Sequence, residues 1–199
     1  MSTHTNALII FIKNPELGRC KTRLAATVGD EKALEVYKNL LAHTRRVTCD
    51  IDVSRYLFYD KNINPNDDWK DSLFIKSVQS NGDLGDRMQN AFDTVLNTHD
   101  KVIIIGSDCP ELNSSVLDKA FNALEENDLV IGPTHDGGYY LLGMKKASPF
   151  LFNEMEWSVD SVFNSTVERI KKENKTYFVL ETLSDLDNED DLKGFPEFG

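Results

Sequence analysis

The chain has 199 residues, with 22 lysines and arginines against 33 aspartates and glutamates, which gives a net charge of −11 at pH 7. This acidity argues against nucleic acid or an anionic membrane as the main partner, because both bind basic surfaces. The three cysteines form no CxxC pair, so neither a disulfide framework nor a structural zinc site is indicated, and a cytoplasmic location is expected. The apolar runs are too short for a membrane span, and the length suits one domain over residues 1–199.

Buried strands and amphipathic helices alternate along the chain. The predicted elements are a strand at 7–12, a helix at about 31–47 capped by Asp30, strands at 53–59 and 73–78, a helix at 83–97 capped by Asp83, a strand at 102–106, a helix capped by Ser114 or Ser115 and ending near 126, strands at 129–131 and 139–144, a helix at 160–172 and a strand near 176–180. This alternation predicts a three-layer α/β/α architecture with a mostly parallel sheet. The tight glycine turn before 139–144 predicts one antiparallel strand.

The loop after the first strand concentrates positive charge in an acidic protein. Its cations within eleven residues are Lys13, Arg19, Lys21 and Arg23, and Glu16 is the one acid among them. A strand-to-helix turn with basic side chains binds phosphate oxygens, and Gly18 permits close backbone approach. Phosphate binding is therefore predicted, with a solvated surface loop as the alternative. The spacing matches neither a Walker A loop nor GxGxxG.

Carboxylates follow two of the predicted strands. Asp108 comes directly after the strand at 102–106, at the kind of strand end where open α/β sheets bind ligands. Asp185 and Asp187 follow the last strand and point the same way if that segment is extended. Mg²⁺ or Mn²⁺ takes oxygen ligands, so Asp108 with Asp185 or Asp187 predicts a metal site. The acids at 189–191 are instead interpreted as the start of a helix.

A glycine turn after the strand at 129–131 combines groups suited to a sugar or another polyhydroxylated ligand. These groups are the Asp136 carboxylate, the backbone N–H groups of Gly137 and Gly138, and the Tyr139 ring. An ordinary hairpin turn is the alternative. Trp157 is predicted to line the same cleft, although a single tryptophan often belongs to a core.

The predicted helix at 83–97 starts with two glycines, at positions 82 and 85, around the Asp83 cap. Arg87 lies one turn into this helix. Because helix N-termini attract anions, Arg87 is predicted to contact the base, ribose or phosphate of a nucleotide.

Five segments taken in order resemble a bacterial group of candidate glycosyltransferases. They are 13–24, 82–88, 106–110, 136–139 and 185–187. The group is described as radical-SAM/selenodomain-associated transferases and lies in the nucleotide-diphospho-sugar transferase superfamily. The resemblance extends from about residue 7 to residue 192, and it implies a GT-A type fold.

The resemblance also implies roles for particular residues. The superfamily includes guanylyltransferases whose first-strand loop holds a nucleoside triphosphate and whose strand-end aspartate holds Mg²⁺. Carried over by motif, the loop at 13–23 would hold the nucleotide, Asp108 would ligate the metal and Asp187 would be the later acidic partner. Pro15 and the single Gly18 depart from the LxAGxGxR loop of many nucleotidyltransferases.

The leading hypothesis is a metal-dependent transferase that moves a sugar from a nucleotide to a small-molecule acceptor, with Asp108 and Asp136 as its catalytic carboxylates. The first alternative is a nucleotidyltransferase that transfers a nucleoside monophosphate from a triphosphate to a phosphorylated acceptor. The second alternative is a nucleotide-binding module without catalytic activity. All three use a bound nucleotide.

Overall fold

The strands of residues 5–199, the part described by the computed structural model, form a seven-stranded sheet. Its strands are β1 (Asn6–Ile12), β2 (Ser54–Tyr59), β3 (Ile75–Val78), β4 (Lys101–Ile105), β5 (Leu129–Pro133), β6 (Tyr139–Met144) and β7 (Tyr177–Val179), in the order β3-β2-β1-β4-β6-β5-β7. β6 runs antiparallel to β4 and β5, and the other pairings are parallel. The predicted mostly parallel sheet with one antiparallel strand is therefore confirmed.

The helices cover both faces of the sheet. They are α1 (Thr22–Val28), α2 (Asp30–Cys49), α3 (Leu84–Leu96), α4 (Ser114–Glu126), α5 (Val162–Lys172) and α6 (Glu189–Gly194). Alternate β1 residues enter different cores, because successive strand side chains point to opposite faces. Leu8 packs in the cluster that contains α2 and α4 side chains, whereas Ile9 packs in the cluster that contains α3 and α5 side chains. The three-layer architecture follows from this division.

The helix caps differ in part from the prediction. Asp30 is the first residue of α2 instead of its cap, and the cap position belongs to Gly29. Asn113, not Ser114 or Ser115, caps α4 by accepting a hydrogen bond from the backbone of the first turn. Asp83 caps α3 in a reciprocal capping box, as predicted. The seven-residue helix α1 was not predicted, because a helix this short carries little periodic signal.

The sheet topology sets which loops become neighbours. β1 and β4 are adjacent and parallel, so the loops that follow them emerge at the same edge of the sheet. The turn between β5 and β6 lies at that edge too, because β6 starts where β4 ends. The segment after β7 also reaches this edge, where Leu186 N donates a hydrogen bond of 3.0 Å to Asp108 O.

Within the described residues, none of the helices is long and apolar enough to cross a membrane. The predicted domain also includes residues 1–4, which lie outside the described part of the chain.

Candidate functional site

Tyr37 of α2 joins the ends of β1 and β4. Its hydroxyl accepts a hydrogen bond of 2.8 Å from Lys13 N, lies 3.0 Å from Lys13 O and lies 3.4 Å from Ser107 Oγ. Burial raises the pKa of Tyr37, so the hydroxyl stays neutral. The sequence predicted a helix at about 31–47 but did not single out Tyr37 within it. The sequence signal for this role was the tyrosine hydroxyl, which needs a hydrogen-bond partner once the ring is buried.

Replacing Tyr37 by phenylalanine is expected to lower the free energy of unfolding by roughly 1–2 kcal/mol, because Lys13 N loses its acceptor. Chemical denaturation measures this loss. Tyr139→Phe is the matched control, since the Tyr139 hydroxyl has only a 3.9 Å contact with Met88 Sδ. Equal effects of the two substitutions would contradict the importance of the Tyr37 contact.

Asn14 links the basic loop at 13–23, called the cationic loop below, to the loop that follows β2. Its backbone N donates a 2.6 Å hydrogen bond to Asp60 Oδ1, and its side-chain Nδ2 donates a 2.9 Å bond to Asn62 O. The side-chain oxygen accepts from Lys61 N at 3.3 Å. These bonds hold the start of the loop at 13–23 beside the sheet edge.

Lys21 is the centre of the candidate site. Its side chain is only 4% exposed, and its Nζ lies 2.7 Å from Asp108 Oδ1 and 2.9 Å from Asp187 Oδ1. Burial alone would lower the pKa of Lys21, but Asp108 and Asp187 together raise it, so the ammonium stays charged. The backbone of Lys21 is left-handed, with φ 49°, which costs energy for a residue with a Cβ. The loop after β1 and the strand-end carboxylate of β4 are therefore in direct contact.

Asp187 is surrounded by cations of the first loop. Burial alone would raise its pKa, but Lys21, Arg23 and Lys13 lower it overall. Arg23 Nη1 lies 3.6 Å from Asp187 Oδ2, and the Arg23 side chain is 72% exposed. The carboxylate of Asp191 accepts from Asp187 N at 2.8 Å and forms part of the capping box of α6, which confirms the helix start predicted at 189–191.

Asp185 lies among carboxylates. Burial and the negative charges of Asp108, Asp136 and Asp187 raise the pKa of Asp185 to about 7. The carboxylates after β4, after β7 and in the β5–β6 turn therefore act on one another. Their combined charge exceeds what Lys21 neutralises.

Arg19 and Gly18 lie at the outer side of the loop. Arg19 is exposed and pairs with Glu16 at 3.5 Å, and Lys61 pairs with the same carboxylate. Gly18 has φ +72°, and a Cβ there would lie 3.4 Å from the Asp30 carboxylate. The structure places Arg19 beside Glu16 and does not bring it to the carboxylates around Lys21.

The glycine turn between β5 and β6 is a hairpin that uses its own polar groups. Asp136 Oδ1 accepts from the Thr134 hydroxyl at 2.6 Å and from Gly138 N at 3.1 Å. Gly137 N donates to Thr134 O at 3.2 Å. Both N–H groups therefore already have partners within the turn, as in an ordinary hairpin, and sugar binding by Gly137 and Gly138 stays a prediction.

Tyr139 and Trp157 pack against the apolar layer of α3. The Tyr139 hydroxyl lies against Met88, and burial raises the pKa of Tyr139. The Trp157 ring lies over Gly85, where a Cβ would be 2.7 Å from Cζ2, and stacks on Phe152 at 6.5 Å. Trp157 thus packs against core side chains, which was the alternative to a position in the cleft. Its buried Nε1 has no hydrogen-bond partner.

Arg87 is tied to the same sheet edge as the cationic loop. Its Nη1 donates a 3.1 Å hydrogen bond to Gln79 Oε1, and its Nε donates to Asp83 O. Gln79 Nε2 donates in turn to the backbone oxygens of Ile12 and Phe58, both at 3.2 Å. The N-terminus of α3 therefore adjoins the ends of β1 and β2.

The donor chemistry of the site fits a hard divalent cation. Asp108, Asp185 and Asp187 offer the carboxylate oxygens that such an ion prefers, and Asp185 is buried beside the negative charges of Asp108, Asp136 and Asp187. In residues 5–199, however, no group of three or more His, Cys, Asp or Glu side chains is arranged as a preformed metal centre. The predicted ligands nevertheless lie near one another, and the Lys21 ammonium lies between Asp108 and Asp187.

The chain is similar to one described protein family. Residues 43–159 match the family described as "Uncharacterized protein conserved in bacteria (DUF2064)". No curated protein matches the chain.

Solved structures similar to this chain share its fold. A protein from Desulfovibrio desulfuricans G20, named as a candidate nucleotide-diphospho-sugar transferase, is 28% identical over 93% of this chain and 83% of its own, with a TM-score of 0.86. The inositol-1-phosphate CTP transferase from T. maritima is 14% identical over 99% and 96% of the two chains, with a TM-score of 0.59. A manganese complex of Rv0371C from Mycobacterium tuberculosis H37Rv is 11% identical over 99% and 100%, with a TM-score of 0.54. The predicted nucleotide-diphospho-sugar transferase fold is confirmed, whereas the radical-SAM/selenodomain association stays a prediction.

Proposed function

Because the chain belongs to the DUF2064 family and has the fold of nucleotide-diphospho-sugar transferases, we propose that it is a metal-dependent transferase that uses a nucleotide-activated sugar. The supporting observation is the contact of Lys21 with both Asp108 and Asp187. It joins the cationic loop after β1 to the carboxylates that follow β4 and β7. Cations suited to phosphate and carboxylate oxygens suited to a metal ion therefore lie at one edge of the sheet. The name of the D. desulfuricans neighbour supports the donor class.

The cations would bind and orient the diphosphate of the donor. Arg23 lies 3.6 Å from Asp187, the charge of Lys13 acts on the same carboxylate, and Arg87 at the N-terminus of α3 adds a further positive group near the end of β1. Holding the diphosphate in one orientation lowers the entropy cost of reaching the transition state. Arg19 would contribute mainly to attraction of the anion, because it is exposed and paired with Glu16.

The carboxylates Asp108 and Asp187, with Asp185 beside them, would hold the divalent ion. Bound Mg²⁺ or Mn²⁺ would offset the charge that develops on the nucleoside diphosphate as it leaves. Asp136 is the second proposed catalytic carboxylate, and its turn, with Trp157, would border the sugar or acceptor. The Asp136 carboxylate already accepts two hydrogen bonds, which fix its orientation.

A nucleotidyltransferase is the second candidate function. The T. maritima CTP transferase is similar in fold over nearly all of both chains, and the same cations and carboxylates suit a nucleoside triphosphate. In this reaction an acceptor phosphate oxygen would bond to the α-phosphorus as pyrophosphate leaves.

One assay separates these functions. The protein is incubated with Mg²⁺ or Mn²⁺ and panels of nucleotide sugars and nucleoside triphosphates, together with candidate acceptors. Release of a nucleoside diphosphate from a nucleotide sugar supports the leading proposal, whereas pyrophosphate release supports the second. Nucleotide-dependent thermal stabilisation without any turnover would support a module without catalytic activity.

Arg23→Gln is expected to weaken nucleotide binding several-fold at low salt. The guanidinium lies near Asp187 but is exposed, so its attraction to phosphate is screened by added salt and the difference from the wild type shrinks. Calorimetric titration at two ionic strengths measures this. Arg46→Gln, an exposed change on α2, is the control. An unchanged dissociation constant for Arg23→Gln would place the phosphate site elsewhere.

A further inference from the structure

The Lys21 ammonium lies where a bound metal ion would have to lie in order to contact both Asp108 and Asp187. Its Nζ lies within 3 Å of an oxygen of each carboxylate, and its side chain is almost fully buried. The left-handed backbone at Lys21 carries a conformational cost, which the two ion pairs offset. The ammonium therefore acts as an internal counter-ion for the two carboxylates.

An ammonium and a divalent ion compete for these oxygens. Mg²⁺ needs its ligands at about 2.1 Å, and a lysine Nζ on the same carboxylates would lie only a few ångströms from it. Repulsion between a divalent ion and a fixed positive charge at that distance is severe in a partly buried site. Metal binding by Asp108 and Asp187 thus requires the Lys21 ammonium to leave at least one of them.

We propose that Lys21 couples nucleotide binding to metal binding. In the free protein its ammonium occupies Asp108 and Asp187, and in the nucleotide complex it moves to a phosphate oxygen. The two carboxylates are then free for Mg²⁺ or Mn²⁺. The nucleotide half of this coupling rests on the proposed function. Because binding linkage is reciprocal, nucleotide raises the affinity for metal as much as metal raises the affinity for nucleotide.

The test is a titration of the full chain with Mn²⁺, followed by electron paramagnetic resonance of the free ion. Without nucleotide, Lys21→Met is expected to bind Mn²⁺ roughly tenfold or more tightly than the wild type, because the competing charge is gone. Lys21→Arg keeps the charge and is expected to bind as weakly as the wild type. Arg23→Met, which removes an exposed charge 3.6 Å from Asp187, is the matched control and is expected to change the affinity much less.

Two further variants keep the test decisive. If Lys21→Met does not fold, Lys21→Gly removes the same charge and relieves the left-handed backbone, since glycine adopts positive φ without strain. Adding Asp108→Asn to the folded variant is expected to abolish the gained affinity. Absence of any gain in the folded neutral variant would overturn the proposal.

The nucleotide half is tested with a nucleoside monophosphate, which itself chelates Mn²⁺ only weakly. It is expected to raise the Mn²⁺ affinity of the wild type but not that of Lys21→Met. If calorimetry shows that the nucleotide binds while the Mn²⁺ affinity of the wild type stays constant, the coupling is overturned and the proposed function stands. If neither the monophosphate nor a nucleotide sugar binds, with or without Mn²⁺, both are overturned.

Discussion

Asp108→Asn is expected to abolish metal-dependent nucleotide binding. The substitution keeps the shape of the side chain but removes a charge from the group that supplies the oxygen nearest to Lys21 Nζ, at 2.7 Å. An amide is a much poorer ligand for Mg²⁺ or Mn²⁺ than a carboxylate. The measurement is calorimetric titration with nucleotide sugars and nucleoside triphosphates in the presence of Mn²⁺ and in the presence of a chelator.

The fold is expected to survive this substitution. The Asp108 side chain is 46% exposed and contributes little packing, and Asp187 continues to pair with Lys21. Asp118→Asn, an exposed change on α4, is the control for loss of one negative charge. Metal-dependent affinity at the wild-type level in Asp108→Asn would refute the assignment of Asp108 as a metal ligand.

Local patterns in the sequence were sufficient to predict most of the fold. The run at 102–105 is continuous and β-branched because β4 lies between two helical layers, and its neighbours are β1 and β6. Asp83 signalled the start of α3 through a cap that needs only residues three positions apart. Such signals are contained within one element and are therefore visible before the chain is folded.

Long-range electrostatics could not be derived in the same way. Lys21 belonged to a basic loop in the sequence, and nothing local indicated that its side chain would be buried while its neighbour Arg23 stayed exposed. Its partners lie far along the chain, after β4 and after β7. The predicted segments do converge, but the position of the ammonium depends on Lys21 preceding α1, which packs against α2 and α6.

The long-range backbone contacts of the glycine turn likewise could not be predicted from local sequence. A hairpin at Gly137 was predicted from the sequence. The contact of this turn with the start of α5, however, depends on residues more than twenty positions later in the chain. Gly137 O accepts a 2.8 Å hydrogen bond from Phe163 N, and the Asp160 backbone lies directly against the Gly137 Cα. This contact holds the turn at Gly137 against the start of α5.

Gly137→Ala is accordingly expected to be the most destabilising single-methyl change in this turn. The backbone at Gly137 has φ +90°, and an added Cβ would lie 1.9 Å from the Asp160 carbonyl oxygen, so either the turn or the start of α5 must move. Backbone strain and overpacking together predict a loss of roughly 3 kcal/mol in the free energy of unfolding. For a chain of this size each kcal/mol lowers Tm by about 2–4 °C, which thermal unfolding followed by circular dichroism resolves.

Gly138→Ala provides the comparison within the same turn. A Cβ at Gly138 would lie 3.1 Å from the Thr134 hydroxyl oxygen and 3.3 Å from Asp136 Oδ1, which a shift of a few tenths of an ångström relieves, and Gly138 does not have a positive φ. Its expected cost is below about 1 kcal/mol, within the range of a mild packing change. If the two alanine variants unfold at the same temperature, the predicted clash of a Cβ at Gly137 with Asp160 is contradicted. A selective loss in Gly137→Ala, accompanied by weaker nucleotide binding in the protein that still folds, would link this contact to the position of Asp136.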